Sequence, residues 1–223
     1  RWVYRQLKNN PERVKDELLT FLSKTINRNY FSFLPEQKGT AIELRDYQQN
    51  ALEELHYLRE EGNTIALLYH ATGVGKTVTA ATDAKRVGGK TLFLVNSLKL
   101  TDQAEKRFHE VWPEATRGFY TGNKKDTGVD VLFATIQSVV RNLDDFEPKQ
   151  FDYIIIDECH HAAAKSYAGI MSYFKPSFTL GLSATPERTD GEDILKLFKR
   201  VAHRMDLKEA IENGILVPIR CLR

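Results

Sequence analysis

The sequence predicts an α/β domain: a mostly parallel sheet covered by helices on both faces. Three observations carry this. Short runs rich in Val, Ile, Leu and Phe recur along the chain without alternating with polar residues, as strands buried on both faces do. Segments with apolar residues at helical spacing separate these runs, and a regular strand–helix succession builds parallel sheets. One run, Thr64-Ile65-Ala66-Leu67-Leu68, leads directly into Tyr69-His70-Ala71-Thr72-Gly73-Val74-Gly75-Lys76-Thr77 and then into a segment of small residues, 78–85. Strand, glycine-bearing loop and helix in that order form a phosphate cradle.

Taken in order, residues 1–38 read as a helical N-terminal extension or the end of a preceding domain. Pro11 stands in a first helical turn, and the aromatic segment Tyr30-Phe31-Ser32-Phe33-Leu34-Pro35 leads to a turn at Gln37-Lys38-Gly39. The main domain spans 39–223. A helix is expected from Arg45 to Glu61, with Gly62 ending it. Strands are expected at 64–69, 91–95, 117–120, 130–134, 152–157 and 178–182. Helices are expected at 76–87, 98–111, 136–141, 163–173 and 206–213. The stretch 122–128 is polar and glycine-flanked, a loop by composition.

Composition narrows the class of protein. Hydrophobic residues make 42% and charged residues 28% of the 223, ordinary for a soluble globular chain. Its apolar runs, such as Tyr153-Ile154-Ile155-Ile156, are far too short to span a bilayer. Arg1-Trp2-Val3-Tyr4 leads into charged sequence rather than a signal-peptide core. Two cysteines, Cys159 and Cys221, do not make a disulfide framework, so a reducing, cytoplasmic setting is expected. A net charge of +2 leaves any nucleic-acid site to a local patch.

In the loop, backbone N–H groups and the following helix N-terminus favour phosphate oxygens. Lys76 would reach the β- and γ-phosphates, and the Thr77 hydroxyl would ligate Mg²⁺. The strict pattern places glycine five residues before Gly75, and here that residue is His70. A second stretch, Phe151 to His161, is an apolar strand ending in Asp157-Glu158. Carboxylates there lie at the carboxyl edge of the sheet, where open α/β sheets bind ligands. Asp157 would hold Mg²⁺, and Glu158 would orient or deprotonate the attacking water. Two plainer readings stand beside this: the acidic pair caps the next helix, or Cys159-His160-His161 ligates zinc. A third strand ends in Ser183-Ala184-Thr185-Pro186, whose hydroxyls could hydrogen-bond His160.

Together these stretches resemble the first RecA-like lobe of superfamily 2 helicases and translocases. Ala71–Thr77 is similar to motif I, Asp157-Glu158-Cys159-His160 to motif II in its Asp-Glu-x-His form, and Ser183-Ala184-Thr185 to motif III. Leu44-Arg45-Asp46-Tyr47-Gln48 resembles an element upstream of motif I in restriction-enzyme and DNA-repair members. The resemblance implies a RecA-like P-loop NTPase fold, ATP and Mg²⁺ as cofactors, and catalytic roles for Lys76, Asp157 and Glu158. It implies an ATP site of Arg45, Gln48, Thr72, Gly73, Val74, Gly75, Lys76 and Thr77, with Gln48 on the adenine edge. Mg²⁺ would be held by Thr77 and Asp157. His160, Ser183 and Thr185 would couple hydrolysis to movement.

Nucleic acid is the partner the resemblance implies, with DNA favoured over RNA. Its contacts fall on Ser97, after the strand 91–95, and on Thr135, Gln137 and Ser138, after the strand 130–134. These groups would bind phosphate oxygens without reading sequence; the plainer alternative is that they cap helices. The resemblance further implies a second RecA-like lobe that closes over ATP and supplies arginines, beginning near Ile215-Leu216-Val217-Pro218. This chain ends at Arg223, so an isolated first lobe is expected to bind ATP weakly and hydrolyse it slowly. The implied function is an ATP-dependent helicase or translocase. Two alternatives stand beside it: a duplex translocase subunit of a restriction-type complex that separates no strands, and a non-enzymatic nucleotide-dependent scaffold that recruits a nuclease.

Overall fold

The computed structural model describes residues 42–159, 164–184, 198 and 200–217. The expected N-terminal extension, His160, His161, Thr185 and Cys221 lie outside the described residues. Along the chain run α1 (Asp46–Glu60), β1 (Ile65–His70), α2 (Lys76–Val87), β2 (Thr91–Val95), α3 (Leu98–Val111), β3 (Arg117–Tyr120) and β4 (Val131–Thr135). There follow α4 (Ile136–Arg141), a single 3₁₀ turn (Leu143–Asp145), β5 (Tyr153–Ile156), α5 (Ala164–Tyr173), β6 (Phe178–Ser183), β7 (Val201–Met205) and α6 (Leu207–Glu212).

The strands form one sheet in the order β3-β4-β2-β5-β6-β1-β7, and every ladder within it is parallel. Each element anticipated from the sequence within the described residues is present, with ends shifted by a residue at most. Two elements, the 3₁₀ turn and β7, were not anticipated. Val201-Ala202-His203-Arg204-Met205 has no apolar run, because among the described residues this edge strand pairs only with β1. A half-exposed edge does not select for continuous apolar residues.

Two cores lie on the two faces. One packs Ala51, Leu55 and Leu58 of α1, Ala80, Ala81 and Ala84 of α2, and Ala104 and Phe108 of α3 against Phe93, Phe133, Tyr153 and Phe178 of the sheet. Phe93, Phe108 and Phe133 meet edge to face or tilted at centroid distances of 5.2–5.8 Å, each such pair contributing about 0.5–1.5 kcal/mol beyond burial. The other core packs Ile136 and Val139 of α4 and Ile170 and Phe174 of α5 on Leu94, Ile154 and Ile156. Cys159 is buried in that second core. Among the described residues no helix is long and apolar enough to cross a membrane.

Parallel pairing has one consequence for function: every strand delivers its last residue to the same edge. Registers Leu94↔Ile156, Ile156↔Gly181 and Tyr69↔Ser183 bring the ends of β2, β5, β6 and β1 side by side. Val95↔Thr135 extends this edge to β4.

Candidate functional site at the carboxyl edge of the sheet

The loop after β1 turns on two glycines. Gly73 and Gly75 have φ of +89° and +92°, a region L side chains rarely adopt. A Cβ on Gly75 would also lie 3.0 Å from the Gln48 Nε2. His70 needs no such freedom. It ends β1 in ordinary backbone and is fully buried. Its Nε2 lies 2.9 Å from the Nδ1 of His203 on β7, and its ring meets that of Tyr47 edge-on. Burial, with the charges of His203 and Lys76, pushes His70 down to about 3, so the ring is neutral near pH 7. Its Nδ1 is buried and has no hydrogen-bond partner among the described residues.

Lys76, the first residue of α2, is buried, and its Nζ donates to the His70 carbonyl at 3.0 Å. The same Nζ lies 3.5 Å from Glu158 Oε1. The ammonium thus faces both the strap of the loop and the end of β5. Thr77 is half-buried beside it, while Thr72 and Gly73 are exposed at the loop tip. Val74 is buried, and its carbonyl accepts the Tyr47 hydroxyl. That bond fastens the loop to α1.

At the end of β5, Asp157 N–H donates to the Leu94 carbonyl, 2.8 Å away, which holds the carboxylate beside β2. Burial, reinforced by the charge of Glu158, pushes the Asp157 carboxyl up to about 6. Lys76 opposes that shift. A buried carboxylate beside a second carboxylate fits a divalent cation, and the pair Thr77 and Asp157 fits Mg²⁺, which takes one or two protein oxygens and completes its shell with phosphates and water. Among the described residues no cluster of three His, Cys, Asp or Glu could hold a metal without such outside ligands. The zinc alternative loses Cys159 as a candidate, since its side chain lies in the core and burial pushes its thiol up.

Glu158 has φ +45°, among the described residues the only non-glycine on the positive side. Such a conformation costs on the order of 1–3 kcal/mol and is held only where surroundings enforce it. It turns the chain sharply off β5 and leaves Glu158 partly exposed at the edge, facing Lys76. Ser183, fully buried, ends β6 between β1 and β5.

Gln48 is buried rather than on the surface. Its Oε1 accepts the Arg45 N–H at 3.0 Å, and its Nε2 lies 3.4 Å from the Gly75 carbonyl and 3.3 Å from Thr79 Oγ1. The carboxamide therefore touches the glycine loop itself, by contacts at the long end of the hydrogen-bond range. The Arg45 side chain is exposed nearby.

On the flank of the edge, Thr135 caps α4: its Oγ1 accepts the Ser138 N–H at 3.3 Å and donates to Ser138 Oγ at 2.7 Å. These two hydroxyls are engaged within the cap. Gln137 and Ser97 are exposed, and the Ser97 side chain makes no cap bond at the start of α3. Sequence reasoning missed His203, because nothing in an edge strand of mixed polarity marks a partner 133 residues from His70. A surface pocket of about 770 Å³ lined by Lys90, Asp130 and Asp152 opens before β2, β4 and β5. No residue of the carboxyl-edge site lines it.

A seven-stranded parallel sheet with a left-handed glycine loop after β1 and an acidic pair after β5 defines a RecA-like α/β domain of the helicase kind. The family follows from comparison with known proteins. Residues 41–188 match the family described as "Type III restriction enzyme, res subunit", and the chain belongs to it.

Two curated relatives illustrate its range. The EcoAI type I restriction enzyme endonuclease subunit of Escherichia coli is 29% identical over 203 residues, which is 83% of this chain and 24% of the relative. The DNA 3'-5' translocase XPB2 of Sulfurisphaera tokodaii is 32% identical over 151 residues, which is 68% of this chain and 33% of the relative. Among solved structures, the UvsW helicase of bacteriophage T4 superposes with a TM-score of 0.60 at 26% identity, covering 72% of this chain and 60% of that one. This chain spans about a quarter to a third of the length of these curated relatives.

Proposed function

We propose that this domain is the first lobe of an ATP-driven motor that moves on DNA. The observation that carries the reading is the convergence at one sheet edge of the loop Gly73–Thr77, the pair Asp157-Glu158 and Ser183, with Lys76 3.5 Å from Glu158. ATP would seat its phosphates on the loop, with Lys76 leaving the His70 carbonyl to neutralise them. Thr77 and Asp157 would hold Mg²⁺, which when bound supplies charge at the β- and γ-oxygens. Glu158, 3.5 Å from the Lys76 ammonium, would orient the attacking water and take its proton. Gln48 and Arg45 would face the base. Ser183, with His160 and Thr185, would pass the nucleotide state to a second lobe, and arginines from that lobe would complete the site.

DNA as partner is supported by what the relatives are named for: a restriction endonuclease subunit and a DNA translocase. Ser97 and Gln137 are the exposed groups of the flank that would meet its backbone. Translocation without strand separation, as a restriction-type subunit would perform, is distinguished by comparing triplex displacement with duplex unwinding.

The reading is tested by measuring ATP hydrolysis by the full-length protein with and without duplex DNA. DNA should stimulate hydrolysis, and Glu158→Gln should abolish that stimulation, by about a hundredfold or more for loss of a general base, while ATP still binds. A wild-type protein that binds ATP but shows no stimulated hydrolysis would instead favour the scaffold that recruits a nuclease.

A further inference from the structure

At the opposite end of the strands from the proposed ATP site lies a charged cluster, built on a buried carboxylate and a partly buried guanidinium, that the site does not use. Asp83, in the middle of α2, is fully buried. Arg59, in the last turn of α1, donates from Nη1 and Nη2 to its two carboxylate oxygens at 2.9 and 2.8 Å. Tyr153, the first residue of β5, donates its hydroxyl to Asp83 Oδ2 at 2.6 Å. The Arg59 guanidinium also stacks 5.0 Å from the ring centroid of Phe178, the first residue of β6.

The four elements joined there are the ones that present the site. α1 carries Gln48 near its start, α2 opens with Lys76 and Thr77, β5 runs into Asp157, and β6 ends at Ser183. We propose that Asp83 is a positioning residue for the nucleotide site. Its carboxylate locks α1, α2 and β5 in the one mutual register that lets Gln48, the phosphate loop and Asp157 address a single nucleotide. The inference rests on the ATP-site reading above.

Energetics argue for positioning rather than bulk stability. Burying a carboxylate and a guanidinium carries a desolvation penalty that apolar side chains of similar volume avoid, so a buried pair is poor evidence of added stability. What it supplies is direction. The guanidinium fork accepts one planar geometry, and the carboxylate's third bond is spent on β5. Burial, reinforced by the Asp83 charge, holds the Tyr153 hydroxyl well above its ordinary value, so it stays a donor.

The lever is long enough to matter. Near the start of α1, Gln48 meets Gly75 and Thr79 by contacts of 3.4 and 3.3 Å, and the apolar core that α1 shares with α2 is non-directional, so neither fixes one crossing angle. Arg59 stands eleven residues further on, about 16 Å along the helix axis, and a second attachment at that distance fixes the crossing angle. On β5, Tyr153 and Asp157 are four residues apart, about 13 Å. Anchoring the strand at one end sets where the other end delivers its carboxylate.

Two variants of the full-length protein test this by calorimetry, with Mg·ATP and with inorganic tripolyphosphate as ligands. Tripolyphosphate would need only the loop, which leads straight into α2 and meets α1 through the Tyr47 hydroxyl and the Gln48 carboxamide, whereas ATP would also need Gln48 in register. Asp83→Asn, close to isosteric and uncharged, should weaken ATP about tenfold and tripolyphosphate by less than about twofold, since only the helix-to-helix tie is lost. Tyr153→Phe removes one hydroxyl and keeps the protein testable should the first variant fold poorly. It should raise the Mg²⁺ concentration for half-maximal ATP binding about threefold. Equal loss of both ligands in Asp83→Asn, or unchanged binding in both variants with only a lowered melting temperature, would overturn the positioning role alone. A wild-type protein that binds neither ligand would overturn the ATP site, and the positioning role with it.

Discussion

The ammonium of Lys76, the first residue of α2, is held 3.0 Å from the carbonyl of His70, the last residue of β1 on the other side of the loop. The loop therefore closes on its own lysine, and that bond, with Glu158 at 3.5 Å, occupies the charge that phosphates would otherwise draw. A charge-assisted bond of this kind is exchanged on ligand binding rather than created, which moderates the net gain from each phosphate contact.

Lys76→Ala should nonetheless weaken nucleotide binding by tenfold or more, because it removes the buried cation that would meet the incoming phosphates, a loss of about 1.5–3 kcal/mol. Titration calorimetry with Mg·ATP measures this directly. Unchanged affinity would rule out the phosphate-cradle assignment.

Asp157 makes stability depend on pH in a defined direction. Its folded-state pKa lies above the ordinary carboxylate value, near 6. The folded state therefore binds the extra proton between the two values, and stability referred to this group is present at low pH and lost as pH rises through about 6. Asp157→Asn should accordingly melt higher than the wild type at pH 7, by a few degrees for about 1 kcal/mol, with the difference vanishing below about pH 4. His70 pulls the other way, its lowered pKa favouring the folded state as pH rises from about 3 to 6.5. Subtracting wild type from variant at each pH removes that contribution. Mg²⁺ held by Asp157, as proposed, would compete with that proton, so the metal requirement for ATP binding should also steepen below about pH 6.

On the flank, Thr135 and Gln137 should separate by experiment. Thr135→Ala loses the cap of α4 and should cost about 1 kcal/mol of stability by denaturant titration. Gln137→Ala touches no cap and should leave stability within about 0.5 kcal/mol. It should lower DNA affinity several-fold, for loss of about 1 kcal/mol of hydrogen bonding. Since Gln137 is uncharged, the salt dependence of binding should keep its slope. A changed slope, or unchanged affinity, would remove Gln137 from the DNA contacts.

Much of this molecule is legible in one dimension. Continuous apolar runs such as Tyr153–Ile156 declare themselves as strands buried on both faces, and the small residues of α2 declare a helix pressed on a sheet. Gly73 and Gly75 declare a left-handed loop, because few other residues hold those angles without strain. Parallel pairing then follows from the strand–helix alternation, and with it the arrival of Lys76, Asp157-Glu158 and Ser183 at one edge.

Other features exist only once the chain has folded. Strand β7 has a mixed sequence because one of its sides is an edge, and exposure erases the pattern that marks a buried strand. His70 breaks a sequence rule harmlessly, since its place at the end of β1 asks for no positive φ and His203 waits beside it. Asp83 reads as an ordinary solvated carboxylate on a helix; only tertiary packing sets it against Arg59, 24 residues away, and Tyr153, 70 residues away. Local sequence determines backbone geometry because sterics and periodicity act over a few residues. Which buried charges meet is decided by which elements the sheet makes neighbours, and that is a property of the whole fold.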